Sequence, residues 1–259
     1  MTDERILLID GNSMAFRAFY ALRADSFLTS QGQYTNAVYG FTNTLLKMMT
    51  DYRPTHVAVA FDLPGGTFRT RQYPDYKGGR ASTPEEFKGQ IGVIRETLDV
   101  LGIAWLTMED VEADDIVATL STLATAKGMQ SYIASGDKDA YQLVSDTCTL
   151  LYPMPRSQMQ VLDPAGIEQK TTVTPAQYPD LAALVGEGAD NLPGVPGVGP
   201  KTAAKWIHQY GDLEGILAHA DDIKGRAGAS LREHTEQVRL NRELNRLLRD
   251  LPLGEDYDH

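Results

Sequence analysis

Three apolar, β-branched runs punctuate the first half of the chain, and each ends in an aspartate: Arg5 to Asp10, His56 to Asp62 and Ser131 to Asp137. Continuous apolar runs of this length predict strands buried on both faces. Stretches with helical spacing lie between them, notably Asn36 to Asp51, Pro84 to Leu101 and Glu112 to Ala126. Alternation of strand and helix predicts an α/β fold, a parallel sheet flanked by helices. Thr83-Pro-Glu-Glu86 has the form of a capping box with proline at the first helical position, which places a helix start there. Beyond about Pro164 the pattern changes to short helices and Gly/Pro-rich turns, so the chain divides into a core over residues 1–164 and a helical portion over residues 165–259. Ser230 to Asp250 reads as one long polar helix carrying Arg232, Arg239, Arg242, Arg246 and Arg249, whose ordinary role is a solvated face laced with ion pairs one turn apart.

Composition narrows the function classes. With 259 residues, 42% of them hydrophobic, the chain can bury a sizeable core. It opens without a basic and then apolar leader, and no segment has the apolar length of a membrane span, so the expectation is a soluble, cytoplasmic protein; nothing in the sequence demands more than a monomer. Cys148, the only cysteine, sits in the apolar run Thr147 to Tyr152 as a buried strand residue and permits no internal disulfide. The five histidines, His259 among them, lack zinc-site spacing. A net charge of −11 argues against a nucleic-acid partner if the acids are spread evenly.

They are not spread evenly. In parallel sheets ligands bind beyond the carboxyl ends of the strands, where Asp10, Asp62 and Asp137 all fall. Each alone is a turn residue or helix cap; three together share one crevice. The densest group, Glu109 to Asp115, leads into an apolar helix, with Glu112 and Asp115 facing the same way and Asp114 beside them. Compensation of the helix dipole accounts for one or two of these carboxylates. Two carboxylates 4 Å apart repel by roughly 4 kcal/mol at an effective dielectric near 20, so a group of this density calls for cations or protons. Mg2+ or Mn2+ is the partner expected for an all-oxygen site, with Asp139, Glu187 and Asp190 as further ligands. Two such ions roughly 3.5–4 Å apart hydrolyse a phosphodiester without a histidine base or a nucleophilic serine.

Residues 65–90 reverse the local charge, setting Arg69, Arg71, Lys77, Arg80 and Lys88 against Asp75, Glu85 and Glu86, with Phe68, Tyr73 and Tyr76 interleaved. Aromatic residues among cations are expected to bind a nucleic-acid strand, and Gly65, Gly66, Gly78 and Gly79 make the segment a mobile lid or arch. Gly194 to Thr202 fails the phosphate-loop pattern, because Pro200 separates the glycine from Lys201. It reads as a hairpin between two helices, with Gly194, Gly197, Gly199, Lys201 and Thr202 offered to a DNA phosphate.

The motifs Leu8-Ile-Asp-Gly11, Phe61-Asp62, Tyr76-Lys-Gly-Gly-Arg80, Glu112-Ala-Asp-Asp115, Gly136-Asp-Lys-Asp139 and Asp190-Asn-Leu-Pro-Gly-Val-Pro-Gly-Val-Gly199 together resemble the bacterial 5′-nuclease/flap-endonuclease family. The resemblance implies a PIN-like α/β core with a helical arch, about residues 65–100, and a helix-hairpin-helix element, about residues 181–212. It implies metal ligation, direct or through water, by Asp10, Asp62, Glu112, Asp114, Asp115, Asp137, Asp139, Glu187 and Asp190. It further implies catalytic contacts from Lys77 and Arg80, DNA contacts from Arg69, stacking of Tyr76 on a displaced base, and a monovalent cation such as K+ at the Gly197/Gly199 hairpin. The implied partners are DNA with 5′ flaps, nicks or 5′ ends and a DNA polymerase of the same pathway. Where the family pattern has two aspartates three apart, this chain has Glu187 first, which bears on its metal preference. The stretch Leu251 to Asp256 lies near where polymerase-linked relatives continue, leaving a stand-alone nuclease and a fragment both open. A non-catalytic junction-binding module with an impaired metal site is the alternative reading.

Overall fold

The computed structural model describes residues 4–155 and 158–253; the first three residues and the terminal stretch from Gly254, with Glu255, Asp256 and His259, lie outside the described residues. Six strands, β1 (Arg5–Asp10), β2 (His56–Ala60), β3 (Ala104–Leu106), β4 (Gln130–Ala134), β5 (Cys148–Met154) and β6 (Gln158–Leu162), form one sheet in the order β3-β2-β1-β4-β5-β6. Neighbours are parallel except β5 and β6, which pair antiparallel. β1 is central and buried on both faces. Leu7 and Ile9 pack with Phe41, Leu45, Ile94 and Leu98 from the helices Asn36–Tyr52 and Gln90–Leu101. Leu8 points the other way, into a core shared with Ile116 of the helix Ala113–Ala126 and with Leu181, Ile207, Leu231 and Val238 of the C-terminal helices. Each such fully buried Leu or Ile stabilises the fold by about 1.5–3 kcal/mol.

The chain order reverses beside β1, because β2 lies on one side of it and β4 on the other. This opens a crevice at the strands' carboxyl ends, which is where Asp10, Asp62 and Asp137 emerge. Beyond the sheet, two short strands, β7 (Gly186–Glu187) and β8 (Leu192–Pro193), pair antiparallel between the helices Tyr178–Val185 and Pro200–Tyr210.

Two helix boundaries differ from the expectation. Residues Glu85–Phe87 form only a 3-10 turn, Thr83 makes no capping bond, and the α-helix begins at Gln90 after Gly89 at φ +82°. A tertiary contact decides this: the buried Gln90 amide donates to Asn36 Oδ1 at 2.8 Å and its carbonyl accepts from Ala37 N at 2.8 Å. The expected long helix over Ser230 to Asp250 is two helices, Gly225–Glu233 and Thr235–Asn245, followed by an extended strap. The strap follows the buried Leu247 and Leu253, and Leu248 N donates to Asp115 Oδ1 at 2.9 Å. The short β3 and the edge strand β6 were not anticipated. No helix among the described residues is long and apolar enough to cross a membrane.

Candidate metal centre and nucleic-acid interface

Asp10 ends β1 and caps the helix Gly11–Ala21, with Oδ1 accepting from Ser13 N and Oδ2 from Ser135 Oγ, both at 2.9 Å. Asp62 lies two residues past β2, and its Oδ1 accepts from Ala113 N at 2.8 Å, where the helix Ala113–Ala126 begins. Glu112 is the N-cap of that helix and Asp114 is in its first turn. Asp137, beyond β4, accepts from Asp139 N at 3.0 Å. Asp10, Asp62, Glu112, Asp114 and Asp137 line one cleft of about 620 Å3, together with Lys77 and Arg80.

Burial and mutual repulsion set the electrostatics. Burial first, then the charge of Asp62, push Asp10 up to about 7. Burial followed by Asp10 and Asp137 holds Asp114 well above the usual carboxylate range, and burial followed by Asp137 and Glu187 does the same for Asp139. Asp62 and Glu187 are also raised, burial again being the leading cause. Such a group favours protons or cations over free carboxylates.

A second cluster adjoins the cleft through Asp139. Carboxylate oxygens of Asp139, Glu187 and Asp190 all lie within 4.8 Å of one another. Glu187 sits on β7, and Asn191 in the left-handed region at φ +57° turns the chain after Asp190. Asp139 Oδ1 is buried and has no hydrogen-bond partner among the described residues. A buried, unpartnered oxygen in an all-carboxylate set fits a hard divalent ion such as Mg2+ or Mn2+.

Residues 76–80 reach both groups. Lys77 Nζ lies 2.7 Å from Glu112 Oε1, and Arg80 Nη2 lies 2.8 Å from Asp190 Oδ1. Three expected roles are corrected here. Tyr76 does not present its ring for stacking, because the side chain is buried against Leu192 and Leu244 and its hydroxyl lies 3.2 Å from both Glu112 Oε2 and Asp190 Oδ2. Arg69 is not a DNA contact: it is buried, pairs with Asp115 through both terminal nitrogens and donates to the carbonyls of Leu244 and Arg246. Asp115, in turn, has both oxygens committed to Arg69 and to the amides of Glu112 and Leu248, which leaves it no face toward an ion.

The hairpin presents Gly197 at φ +81°, Gly199 as N-cap and Pro200 as the first residue of the helix Pro200–Tyr210, with Lys201 exposed and Thr202 half-buried. Gly194 works inside the fold, since a Cβ there would meet Val185 O at 2.0 Å. Sequence reasoning passed over Ser13, Ser135, Asn12 and Tyr178. Ser13 was readable as the third residue after a capping aspartate. Asn12 Oδ1 accepts from Asp62 N at 3.3 Å and Tyr178 donates to Glu187 Oε1 at 3.3 Å, and nothing local signals either bond.

Comparisons with known proteins agree with this architecture. The family description "5′-3′ exonuclease, N-terminal resolvase-like domain" matches residues 5–172, and "5′-3′ exonuclease, C-terminal SAM fold" matches residues 173–259. The chain is 50% identical over 254 residues to DNA polymerase I of Mycobacterium tuberculosis, covering 98% of this chain and 28% of that protein. It is 41% identical over 253 residues to the thermostable DNA polymerase I of Thermus thermophilus, covering 97% of this chain and 30% of that protein. The chain therefore spans less than a third of the length of these relatives. Among solved structures, a bacteriophage T5 flap endonuclease in complex with DNA and metal ions matches with a TM-score of 0.77 at 21% identity, over 94% of this chain and 89% of that one. The catalytic core of Rad2 in complex with DNA substrate matches with a TM-score of 0.59 at 16% identity, over 96% and 80%. At these identities the structural matches establish the fold.

Proposed function

Because the chain belongs to the 5′-3′ exonuclease family, we propose that it is a structure-selective nuclease acting on DNA at 5′ ends, nicks and 5′ flaps with the help of two or more Mg2+ or Mn2+ ions. The observation that carries this reading is the cleft in which Asp10, Asp62, Glu112, Asp114 and Asp137 face Lys77 and Arg80. Asp139, Glu187 and Asp190 complete the ligand set. When bound, the ions supply Lewis acidity and an activated water for in-line displacement.

The chain's own residues do the rest. Ser13, Ser135 and the amide of Ala113 hold the carboxylates of Asp10 and Asp62 in place. Of the cations lining the cleft, Arg17 is bonded to Pro153 O, and Lys77 and Arg80 are placed to meet a phosphate and neutralise charge that builds on it. The hairpin amides beside Gly197 and Gly199, with Lys201, hold a duplex backbone, and its carbonyls suit a K+ ion. In this reading residues 1–164 form the nuclease core with the arch at about 65–100. Residues 165–259 form the DNA-holding portion, with the helix-hairpin-helix at about 181–212. The protein acts as a monomer in the bacterial cytoplasm, with a DNA polymerase in the same pathway, in keeping with the polymerase names of its relatives.

The test is cleavage of a labelled duplex bearing a 5′ flap, with Mg2+ or Mn2+, by the intact protein and by Asp114→Asn. Metal-dependent cutting near the junction that disappears in the variant is expected. Tight flap binding without cutting in either metal would assign the protein to the junction-binding class instead.

A further inference from the structure

Five side chains from three parts of the chain meet where the arch crosses the carboxylates: Tyr76, Lys77 and Arg80 of the arch, Glu112, and Asp190. Lys77 and Glu112 pair at 2.7 Å with 22% and 13% of their side chains exposed, and Arg80 and Asp190 pair at 2.8 Å. Tyr76 OH lies 3.2 Å from each of the two carboxylates. A phenol has one proton to give, so it can donate to only one of them at a time; the arrangement holds because Lys77 and Arg80 balance both negative charges. The backbone joins in. Lys77 N donates to Asp190 O at 3.0 Å, and Asn191 Nδ2 donates to Asp75 O at 2.9 Å. These bonds hold Lys77 at φ +57°, a region a lysine seldom adopts.

Resting on the reading of the acidic cleft as a metal centre, we propose that Tyr76, Lys77 and Arg80 form a clasp that occupies Glu112 and Asp190 in the metal-free protein, competes with divalent cations for them, and opens as cations bind. Asp190 belongs both to the clasp and to the group with Asp139 and Glu187. A divalent ion at that group takes over neutralisation of Asp190 and repels the guanidinium of Arg80. An ion near Glu112 does the same to the ammonium of Lys77. The released cations then face the cleft, where a phosphate would lie. Part of the binding energy of the ions is spent on opening the clasp, so the metal-free protein binds them more weakly than an open one would.

Two measurements on the DNA-free protein test this, and neither reads nuclease activity. The first is calorimetric titration with Mn2+. Lys77→Met and Arg80→Met are each expected to bind Mn2+ about fivefold tighter or more. Arg17→Gln controls for the loss of a nearby positive charge, because Arg17 lines the same cleft but bonds to Pro153 O at 2.6 Å and not to the clasped carboxylates; its affinity is expected to change by less than about twofold. The second is amide hydrogen exchange in the unaltered protein, in which the Lys77 amide is expected to exchange faster when Mn2+ is added. Unchanged or weaker Mn2+ binding in both clasp variants, a shift no larger than that of Arg17→Gln, or slower exchange at Lys77 would overturn the clasp while leaving the metal centre standing. Absence of Mn2+ binding by the unaltered protein would remove the metal centre and the clasp together.

Discussion

Arg69 and Asp115 meet as a two-point ion pair out of reach of water, with Nη1–Oδ2 at 2.6 Å and Nη2–Oδ1 at 2.8 Å, and side chains 1% and 0% exposed. The pair joins three parts of the fold. Arg69 also donates to the carbonyls of Leu244 and Arg246, and Asp115 accepts from Leu248 N, so the C-terminal strap is fastened to the helix whose start carries Glu112 and Asp114. Asp115 thus ties the strap and Arg69 to the start of that helix.

Breaking a buried pair leaves an uncompensated charge and costs about 3–5 kcal/mol. Arg69→Met is expected to lower stability by that order in urea denaturation, and Asp115→Asn to lower it as well. Asp114→Asn should do the opposite in the metal-free protein, because it removes a carboxylate crowded by Asp10 and Asp137. An Asp115→Asn variant with unaltered stability and no Mn2+ binding would return Asp115 to the ligand set.

The pH dependence of the metal-free protein follows from Asp10. Its carboxyl is pushed from an ordinary 3.8 up to about 7, so between those values the folded protein holds a proton that the unfolded chain has released. Stability contributed by this group therefore falls as pH rises from about 4 to about 7. Asn keeps the capping ability, so Asp10→Asn is expected to raise the metal-free melting temperature at pH 8 and to leave it nearly unchanged at pH 4. A melting-temperature gap that is the same at both values would disprove the assignment.

At the hairpin, Lys201 stands exposed in the first turn of the helix Pro200–Tyr210. A lysine on a phosphate acts without regard to sequence. Lys201→Ala should weaken duplex binding evenly across sequences and lower the slope of log K against log salt by about 1. An unchanged salt slope would place the duplex elsewhere.

The sheet was legible because its central strands are continuous apolar runs closed by aspartate, a signal that needs no tertiary information. The convergence of Asp10, Asp62 and Asp137 followed from the geometry of parallel sheets. Arg69 was not legible: beside Phe68 in a basic segment it looks like a surface cation, and its partner lies 46 residues away, with the strap carbonyl of Arg246 that completes its shell 177 residues away. Tyr76 misleads for the same reason, since its ring is covered by Leu192 and Leu244 from the helical portion. At Thr83 a local capping signal lost to the buried bond between Gln90 and Asn36, which fixes where the helix can begin.

Glu187 is the glutamate in the group with Asp139 and Asp190, and its surroundings show how the longer side chain is used. It projects from β7 opposite Leu192, its carboxylate lies within 4.8 Å of those of Asp139 and Asp190, and its Oε1 accepts from Tyr178 OH at 3.3 Å. Glu187→Asp withdraws the carboxylate by one bond, roughly 1.5 Å, and takes it away from both the tyrosine and the group. Mg2+ demands near-ideal octahedral geometry at about 2.0–2.1 Å, so it tolerates a misplaced ligand poorly. The variant is therefore expected to shift the ratio of Mg2+-supported to Mn2+-supported flap cleavage several-fold, with Tyr178→Phe moving it in the same direction but less. If Glu187→Asp leaves the two metal dependences unchanged, the carboxylate touches only the water shell of the ion, and Glu187 does not set the metal preference.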